Sequence, residues 1–512
     1  MSQCSSGRNK NPLALAMGSV NWDLCKLKWS AIIHFCVKNV TRLDRRVVST
    51  TERKSFKMEE TQMIQENKMG VMPIPKLLIS MSLPIMASML IQALYNIVDS
   101  IFIARYSQDA LTAVSLAFPV QTLMIALGNG TAVGVNALLS KSLGEKKFKM
   151  ANKTAVNGLF LALCSYILIA LFGIFGVRMF FESQIDNIAV IENGVQYMTI
   201  IATMSFGLFG SIILERLLQA TGNTFYSMIA QMSGAITNII LDPIMIFGLF
   251  GFPKMGAGGA ALATVCGQIV AMSVGIFFNL TKNKEISLSL KGFRPDLKVI
   301  KVILVVGIPA IIMQSISSIL TFCFNSILLM FSEVAVSVYG IYFKLNSFIF
   351  MPIFGLTNGL IPILAYNYGA QKKKRITQTI KLSIALACSV MVVGVAVFQL
   401  IPVQLLGLFN AEPEMIEIGV KALRTISLSF IFAGYGIVLS SAFQAFGNGM
   451  YSLITSAIRQ LLVILPTAYF FAVNFGLDAV WWSYPLAELV AVVVSTVLFI
   501  NLYKTRIKGI PD

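Results

Sequence analysis

The 512-residue chain is 56% hydrophobic and only 12% charged, with a mean hydropathy of +0.77. A soluble domain carries about 25% charged residues, so the lipid bilayer must be the solvent for most of this surface, which excludes a soluble enzyme, a secreted scaffold and a disordered chain. The net charge of +17 does not point to nucleic acid, because Lys and Arg come in short bursts between long apolar runs, the pattern of loops on a polytopic membrane protein.

Residues 1–57 stand apart. They are basic and hold Cys4, Cys25 and Cys36, Trp22 and Trp29, and the only histidine, His34. They show no sustained apolar run, and 31–37 (AIIHFCV) is far short of the roughly 20 residues that cross a bilayer. No signal-peptide h-region leads to a small-residue cleavage site. We expect this stretch to be an atypical, dispensable tail, or translated sequence upstream of a true start at Met58, which opens the polar leader MEETQMIQENKMG.

From residue 77 the hydropathy predicts twelve helical spans, at 77–103, 110–139, 155–180, 193–220, 226–250, 257–281, 301–328, 335–366, 377–402, 415–446, 451–473 and 477–503. Each suffices to cross about 30 Å of hydrocarbon. Cys164, Cys266, Cys323 and Cys388 lie singly in these spans, without metal-ligand spacing, and read as buried small hydrophobes.

Basic residues alternate between the loops. Segment 141–153 carries five, 282–301 six, 372–381 five, the tail after 503 three and the leader before the first span thirteen. The opposite loops hold Arg105, Arg178 and Lys254, with the acids Glu182, Asp186, Glu412 and Glu414. The positive-inside rule therefore places both termini in the cytoplasm, and an even number of spans agrees.

An internal repeat organises the chain. LQATGNTFYSM at 218–228 matches FQAFGNGMYSL at 443–453, an offset of 225 that also pairs Pro84 with Pro309, Gly130 with Gly355, Gly134 with Gly359 and Gly144 with Gly369. Each half then holds six spans in the same orientation, related by an axis along the membrane normal. The expected fold is all-α: two six-helix bundles, an N-lobe over 58–300 and a C-lobe over 301–512. Two bundles facing each other across a cleft suit a transporter.

Ionisable side chains inside a span cost roughly 2.5–3.5 kcal/mol each on insertion scales, which makes them functional candidates. Asp99 lies in the first span and Asp242 in the fifth; Asn238, four residues before Asp242, shares its helix face. Pro243 follows at once, so the helix is expected to bend there and free the carbonyl of Ile239. Two carboxylates, an amide oxygen and a free carbonyl are hard ligands for a small cation, and paired carboxylates also suit proton exchange. In the second half Glu488 is a candidate proton or substrate carboxylate, whereas Lys344, Arg424 and Arg459 read as snorkelling or ion-paired. Met is adaptable and aromatic faces attract organic cations, which suits a promiscuous pocket. The glycine pairs Gly130/Gly134 and Gly355/Gly359 have the spacing for close helix contact.

LYNIVDSIFIARY (94–106), the repeated Gln-Ala-x-Gly-Asn, NIILDPIMIFG (238–248) and MGAGGAALATV (255–265) together make the chain resemble the multidrug and toxic compound extrusion (MATE) transporters over about 70–505. The resemblance implies a twelve-helix, two-lobe antiporter that expels cationic amphipathic compounds in exchange for sodium or protons. It also implies an N-lobe cation site at Asp99, Asn238, Asp242 and Thr264. Some branches of that family carry acids in helices 7 and 10, where Gln314 and Ser441 stand here. The resemblance therefore favours coupling through the N-lobe, with Gln314 and Glu488 the candidate secondary site.

The competing function is a lipid or lipid-linked oligosaccharide flippase, which often has fourteen spans and a cleft rich in Arg and Lys. A membrane enzyme finds no support in the motifs, and GxxxxGK[ST] for ATP is absent. The expected protein is a monomer in the plasma or inner membrane, with no cofactor beyond the coupling ion. On a cysteine-free background, Lys146→Cys and Lys373→Cys should be labelled only from the cytoplasm and Glu412→Cys only from outside; reversed labelling at any of them overturns this orientation.

Overall fold

An apolar segment in lipid must satisfy its own backbone hydrogen bonds, which a helix does internally. The computed structural model describes residues 67–289, 291–409 and 412–511, and every regular element among them is helical. The expected tail at 1–57, with His34, lies outside the described residues.

The spans are α1 (Ile74–Tyr106), α2 (Gln108–Gly144), α3 (Phe148–Phe175), α4 (Ile188–Thr203 and Phe206–Ala220), α5 (Thr224–Phe247), α6 (Gly256–Thr281), α7 (Leu297–Leu328), α8 (Glu333–Gly369), α9 (Lys373–Leu400), α10 (Pro413–Ser427 and Phe430–Ala445), α11 (Gly449–Phe475) and α12 (Leu477–Ile507). They build two bundles, α1–α6 and α7–α12. Spans α4 and α10 are broken, with bends of 45° and 48°. In each break a serine hydroxyl caps a carbonyl three residues back: Ser205 Oγ donates to Ala202 at 2.8 Å and Ser429 Oγ to Ile426 at 2.6 Å. These bends are a finding beyond the expected straight spans, since a local serine hydrogen bond leaves no mark on hydropathy.

Two further expectations are corrected. The third span begins at Phe148 and ends at Phe175, with the short helix Val177–Glu182 beyond Gly176, rather than running 155–180. None of Cys164, Cys266, Cys323 and Cys388 is fully buried: the first is exposed and the other three half-buried, so these small apolar side chains lie toward the bundle surface.

The repeat is visible in the backbone. Lys146 (φ 57°) and Gln371 (φ 55°) are the same turn 225 residues apart, as are Gly222 (φ 90°) and Gly447 (φ 78°). The two glycines explain the Gln-Ala-x-Gly-Asn motif. A left-handed residue past the helix end lets the next N–H reach back into the last turn. Asn223 N–H accordingly meets the Leu218 carbonyl at 2.7 Å, and Asn448 N–H meets Phe443 at 2.8 Å.

The bundles touch at the end that carries the Lys-rich loops. A Cβ on Gly130 would lie 2.8 Å from the Gly307 carbonyl, one on Gly359 would lie 2.6 Å from Ser82 Oγ, and one on Gly134 would overlap the Ile303 carbonyl. Gly144 packs on the Tyr366 carbonyl and Gly369 on that of Lys141. Backbones therefore meet where side chains are missing. The turn before α1 is strapped to the second bundle as well. Arg375 Nη2 donates to the carbonyls of Met69 (3.0 Å) and Met72 (2.8 Å), and Lys372 Nζ donates to Gly70 (3.0 Å).

Overpacking a tight contact costs about 1–3 kcal/mol. Gly134→Val should therefore lower the thermal midpoint of the purified protein. Gly340→Ala, at an open position on α8, should leave the midpoint unchanged or raise it; equal midpoints for both variants would contradict the close α2–α7 seam.

Candidate cation-binding site

A polar atom buried in a bilayer without a partner is costly. Among the described residues of the first lobe, four buried oxygens that lack one cluster on α1, α5 and α6: Asp99 Oδ1, Asn238 Oδ1, Asp242 Oδ2 and Gln268 Oε1. Asn136 Nδ2 on α2 and Asn283 Oδ1 beyond α6 also lack one, and neither residue lines the cavity described next. Asp99, Asn238 and Gln268 line one cavity of about 250 Å³, closed by α1, α2, α4, α5, α6 and a single residue of α8, Asn358. Asp242 is fully buried just behind this lining.

Helical spacing assembles the site. On α5, Ser227, Gln231, Gly234, Asn238 and Asp242 recur every three or four residues and so share one face. Gly234 lets that face approach α6: a Cβ there would sit 2.7 Å from the Gly267 carbonyl, and one on Gly267 would sit 2.6 Å from the Gly234 carbonyl. This contact brings Thr264 in. The Asn238 amide nitrogen donates both to Asp242 Oδ1 (3.2 Å) and to Thr264 Oγ1 (3.3 Å). With its donors directed at those two atoms, Asn238 is left presenting its oxygen. On α1, Gln92 accepts from Gln231 at 2.8 Å, which fixes α5 against the helix that carries Asp99. Asp99 acts electrostatically on Asp242.

At this site the unpartnered set is all oxygen and includes two carboxylates, the donor chemistry that suits Na⁺ or takes up a proton. Among the described residues no group of three or more His, Cys, Asp or Glu is placed to hold a metal ion. Pro243 lies inside α5 without ending it; the helix stops at Gly248 (φ 77°).

The structure thus gathers Asp99, Asn238, Asp242 and Thr264, the four sequence candidates of the N-lobe. The other candidates lie elsewhere. Gln314 is half-buried on α7 and does not line the cavity. Glu488 on α12 accepts from Arg459 Nη1 at 2.9 Å, and its Oε2 is buried without a partner. Arg459 stands in a π-helical stretch of α11, Ile458–Ile464. Around the pair the second bundle is filled by Phe324, Tyr339, Tyr342, Trp481 and Tyr484, with the Tyr339 and Tyr484 hydroxyls 2.5 Å apart. Phe324 stands 225 residues after Asp99, so the second bundle puts an aromatic ring where the first puts an acid. Lys344 lies over the Phe409 ring at 5.8 Å, and Arg424 is exposed.

Sequence reading passed over two cavity residues, Glu215 and Arg216 on α4. They stand adjacent and opposite in charge within FGLFGSIILERLLQATG. They form no ion pair with each other among the described residues. Arg216 Nη1 donates instead to Asn358 Oδ1 (2.8 Å) and Gln219 Oε1 (3.1 Å). The available signal was Gln219 of the repeat motif, three residues on and therefore on the face of Arg216.

Outside the spans, Asp296 caps α7 through the N–H groups of Lys298 and Val299, and Lys153 of α3 sits 3.3 Å away. The Lys153 contact above all, then those two N–H groups, hold its carboxyl below the usual carboxylate range.

Comparison with known proteins agrees with the fold. The MatE family model matches residues 84–244 and again 309–470, starting at the two prolines that the repeat pairs. Multidrug export protein MepA of Staphylococcus aureus (strain bovine RF122 / ET3-1) is 29% identical over 440 residues, covering 85% of this chain and 95% of that protein. A MATE crystal structure in complex with MaL6 superposes with a TM-score of 0.81 at 26% identity, covering 86% of this chain and all (100%) of that one. A multidrug resistance MATE family transporter of the MOP superfamily, in its outward-facing conformation, gives 0.81 at 25% identity, covering 87% and 100%.

Removing one member of a buried ion pair strands the other, at a cost of about 3–5 kcal/mol when both are fully buried. Arg459 is partly exposed, so Glu488→Ala should cost less than that range and still lower the thermal midpoint more than Asp242→Asn does. The reverse order would mean that Glu488 is not held structurally by Arg459.

Proposed function

The chain belongs to the MatE family, and from that membership we propose that it is a secondary antiporter exporting small cationic amphipathic compounds in exchange for Na⁺ or H⁺. The observation that carries this reading is the set of unpartnered oxygens at Asp99, Asn238 and Asp242 in a membrane-embedded lobe. The cavity beside them is lined by the acids Asp99 and Glu215 against one arginine, and by Met89, Met124, Tyr95 and Tyr197. Carboxylates with soft and aromatic neighbours suit an organic cation. A pyrophosphate-bearing lipid would call for the opposite charge.

The coupling follows from charge compensation. A Na⁺ or H⁺ entering between Asp99 on α1 and the Asn238–Asp242 pair on α5 neutralises buried negative charge and favours the arrangement in which these helices close on it. The basic end of α1 holds the seam with α8, where Ser82 Oγ donates to the Leu356 carbonyl at 3.3 Å. A shift of α1 at the ion site is therefore felt at the contact between lobes. The ion biases one opening of the cleft over the other and displaces the cationic substrate. The Lys-rich end is cytoplasmic in this scheme, the lobes being sealed on that side, and the protein resides in the plasma or inner membrane.

Asp99→Asn and Asp242→Asn should each reduce gradient-driven efflux from proteoliposomes to background while the protein still folds and reconstitutes. Gln314→Ala, outside the cavity, should keep most of the activity. Wild-type efflux by Asp242→Asn would refute coupling through this lobe and make Glu488 the residue to test.

A further inference from the structure

Arg216, in the cavity wall, hydrogen-bonds directly to the second lobe through the Asn358 oxygen, and its other bond begins a chain into the helix that carries the candidate ion site. The same Nη1 that donates to Asn358 Oδ1 (2.8 Å) donates to Gln219 Oε1 (3.1 Å), and Gln219 Nε2 donates to Ser227 Oγ (3.0 Å). Arg216, Gln219 and Ser227 are all buried. Ser227 stands on the α5 face that bears Asn238, eleven residues on, or about 16 Å along the helix at 1.5 Å per residue.

At the other end of the chain, Asn358 is placed by the seam itself. It lies between Gly355 and Gly359, which pack without side chains against Met86 and Ser82 of α1, and its own amide reaches Met89 Sδ at 3.8 Å. Any separation of the lobes at this end withdraws Asn358 from the guanidinium. A buried arginine that loses an acceptor must find another, because an unpaired charged donor is costly in low dielectric. The Arg216–Gln219–Ser227 arrangement therefore differs between the sealed and parted lobes.

We infer that Arg216 is a positioning residue that couples the seam between the lobes to α5, so that ion occupancy at Asn238–Asp242 and the state of the seam report to each other through Asn358, Gln219 and Ser227. The inference deepens the antiport reading and rests on it. It assigns to the repeated Gln-Ala-x-Gly-Asn motif a second task besides ending a helix. In the second lobe Ser441 replaces the arginine and its hydroxyl only donates to its own helix at the Ile437 carbonyl (3.0 Å), so the device belongs to the N-lobe alone.

The test is a double-mutant cycle on the purified full-length chain, read as the Na⁺ or H⁺ concentration that half-displaces bound tetraphenylphosphonium. Asn358→Ala and Ser227→Ala, at the two ends of the chain, should each raise that concentration by about tenfold, within the usual range of coupling between sites, and the double variant by no more than either alone. Ser227 does not line the cavity, so its effect cannot come from contact with the probe. Arg216→Lys, which keeps the charge and a single donor nitrogen, should fall between wild type and Arg216→Met. Should Arg216→Met fail to fold, the Asn358–Ser227 cycle decides alone. Displacement in the wild type combined with unchanged or additive single-variant effects overturns the inference and leaves the antiport reading intact. No ion-dependent displacement in the wild type sinks the antiport reading, and this inference with it.

Discussion

The cost of holding carboxylates inside a bilayer is the constraint from which the first lobe is built. Asp99 and Asp242 each carry a penalty of roughly 2.5–3.5 kcal/mol on insertion scales, and the lobe meets it with proximity rather than with a fixed counter-charge. Gly234 and Gly267 let α5 and α6 touch backbone to backbone, so that Asn238 reaches both Asp242 and Thr264. The local donors are then directed inward and oxygens are left over, a deficit that a mobile cation can fill. The second lobe meets the same constraint with a fixed partner: Glu488 has Arg459, and aromatic rings occupy the surrounding volume. One fold, duplicated, leaves two carboxylates without a fixed counter-charge in one half and pairs a carboxylate with an arginine in the other.

In the proposed antiport cycle, the seam between the lobes connects this chemistry to movement. It is made of glycines against carbonyls at the Lys-rich end, a surface with little side-chain interdigitation to break when two rigid bundles rock apart. Helix α1 takes part in both places, with Ser82 in the seam and Asp99 in the cavity wall. Arg375 and Lys372 add charged hydrogen bonds from the second lobe to the turn before α1, so this end is secured by polar as well as steric means. A change in how α1 sits against α5 has a short mechanical path to the cleft.

Much of this was legible in the residues, and the exceptions have physical causes. Continuous apolar runs located the spans because lipid leaves a helix few alternatives, and the 225-residue offset gave the two-bundle plan. The breaks in α4 and α10 were not legible, since a serine bonding three residues back is an ordinary serine in any hydropathy scale. The boundary of the third span was misplaced because Gly176 divides two apolar stretches of similar character. Asp99, Asn238 and Asp242 were found as isolated polar residues in apolar helices. Glu215 and Arg216 were not, because adjacent opposite charges cancel in a running sum while facing different partners in three dimensions. The pairing of Arg459 with Glu488 lies between two helices, and spacing within either one says nothing about it.

The most direct test of the account is a flux measurement without any imposed gradient. Proteoliposomes holding the purified chain would receive tetraphenylphosphonium on one side only, while ²²Na⁺ and an internal pH dye report ion movement. The account predicts that substrate moving in one direction drives Na⁺ or H⁺ in the other, and that Asp242→Asn loses this ion movement. Substrate flux with no opposing ion flux in the wild type, or ion flux undiminished in Asp242→Asn, would contradict it.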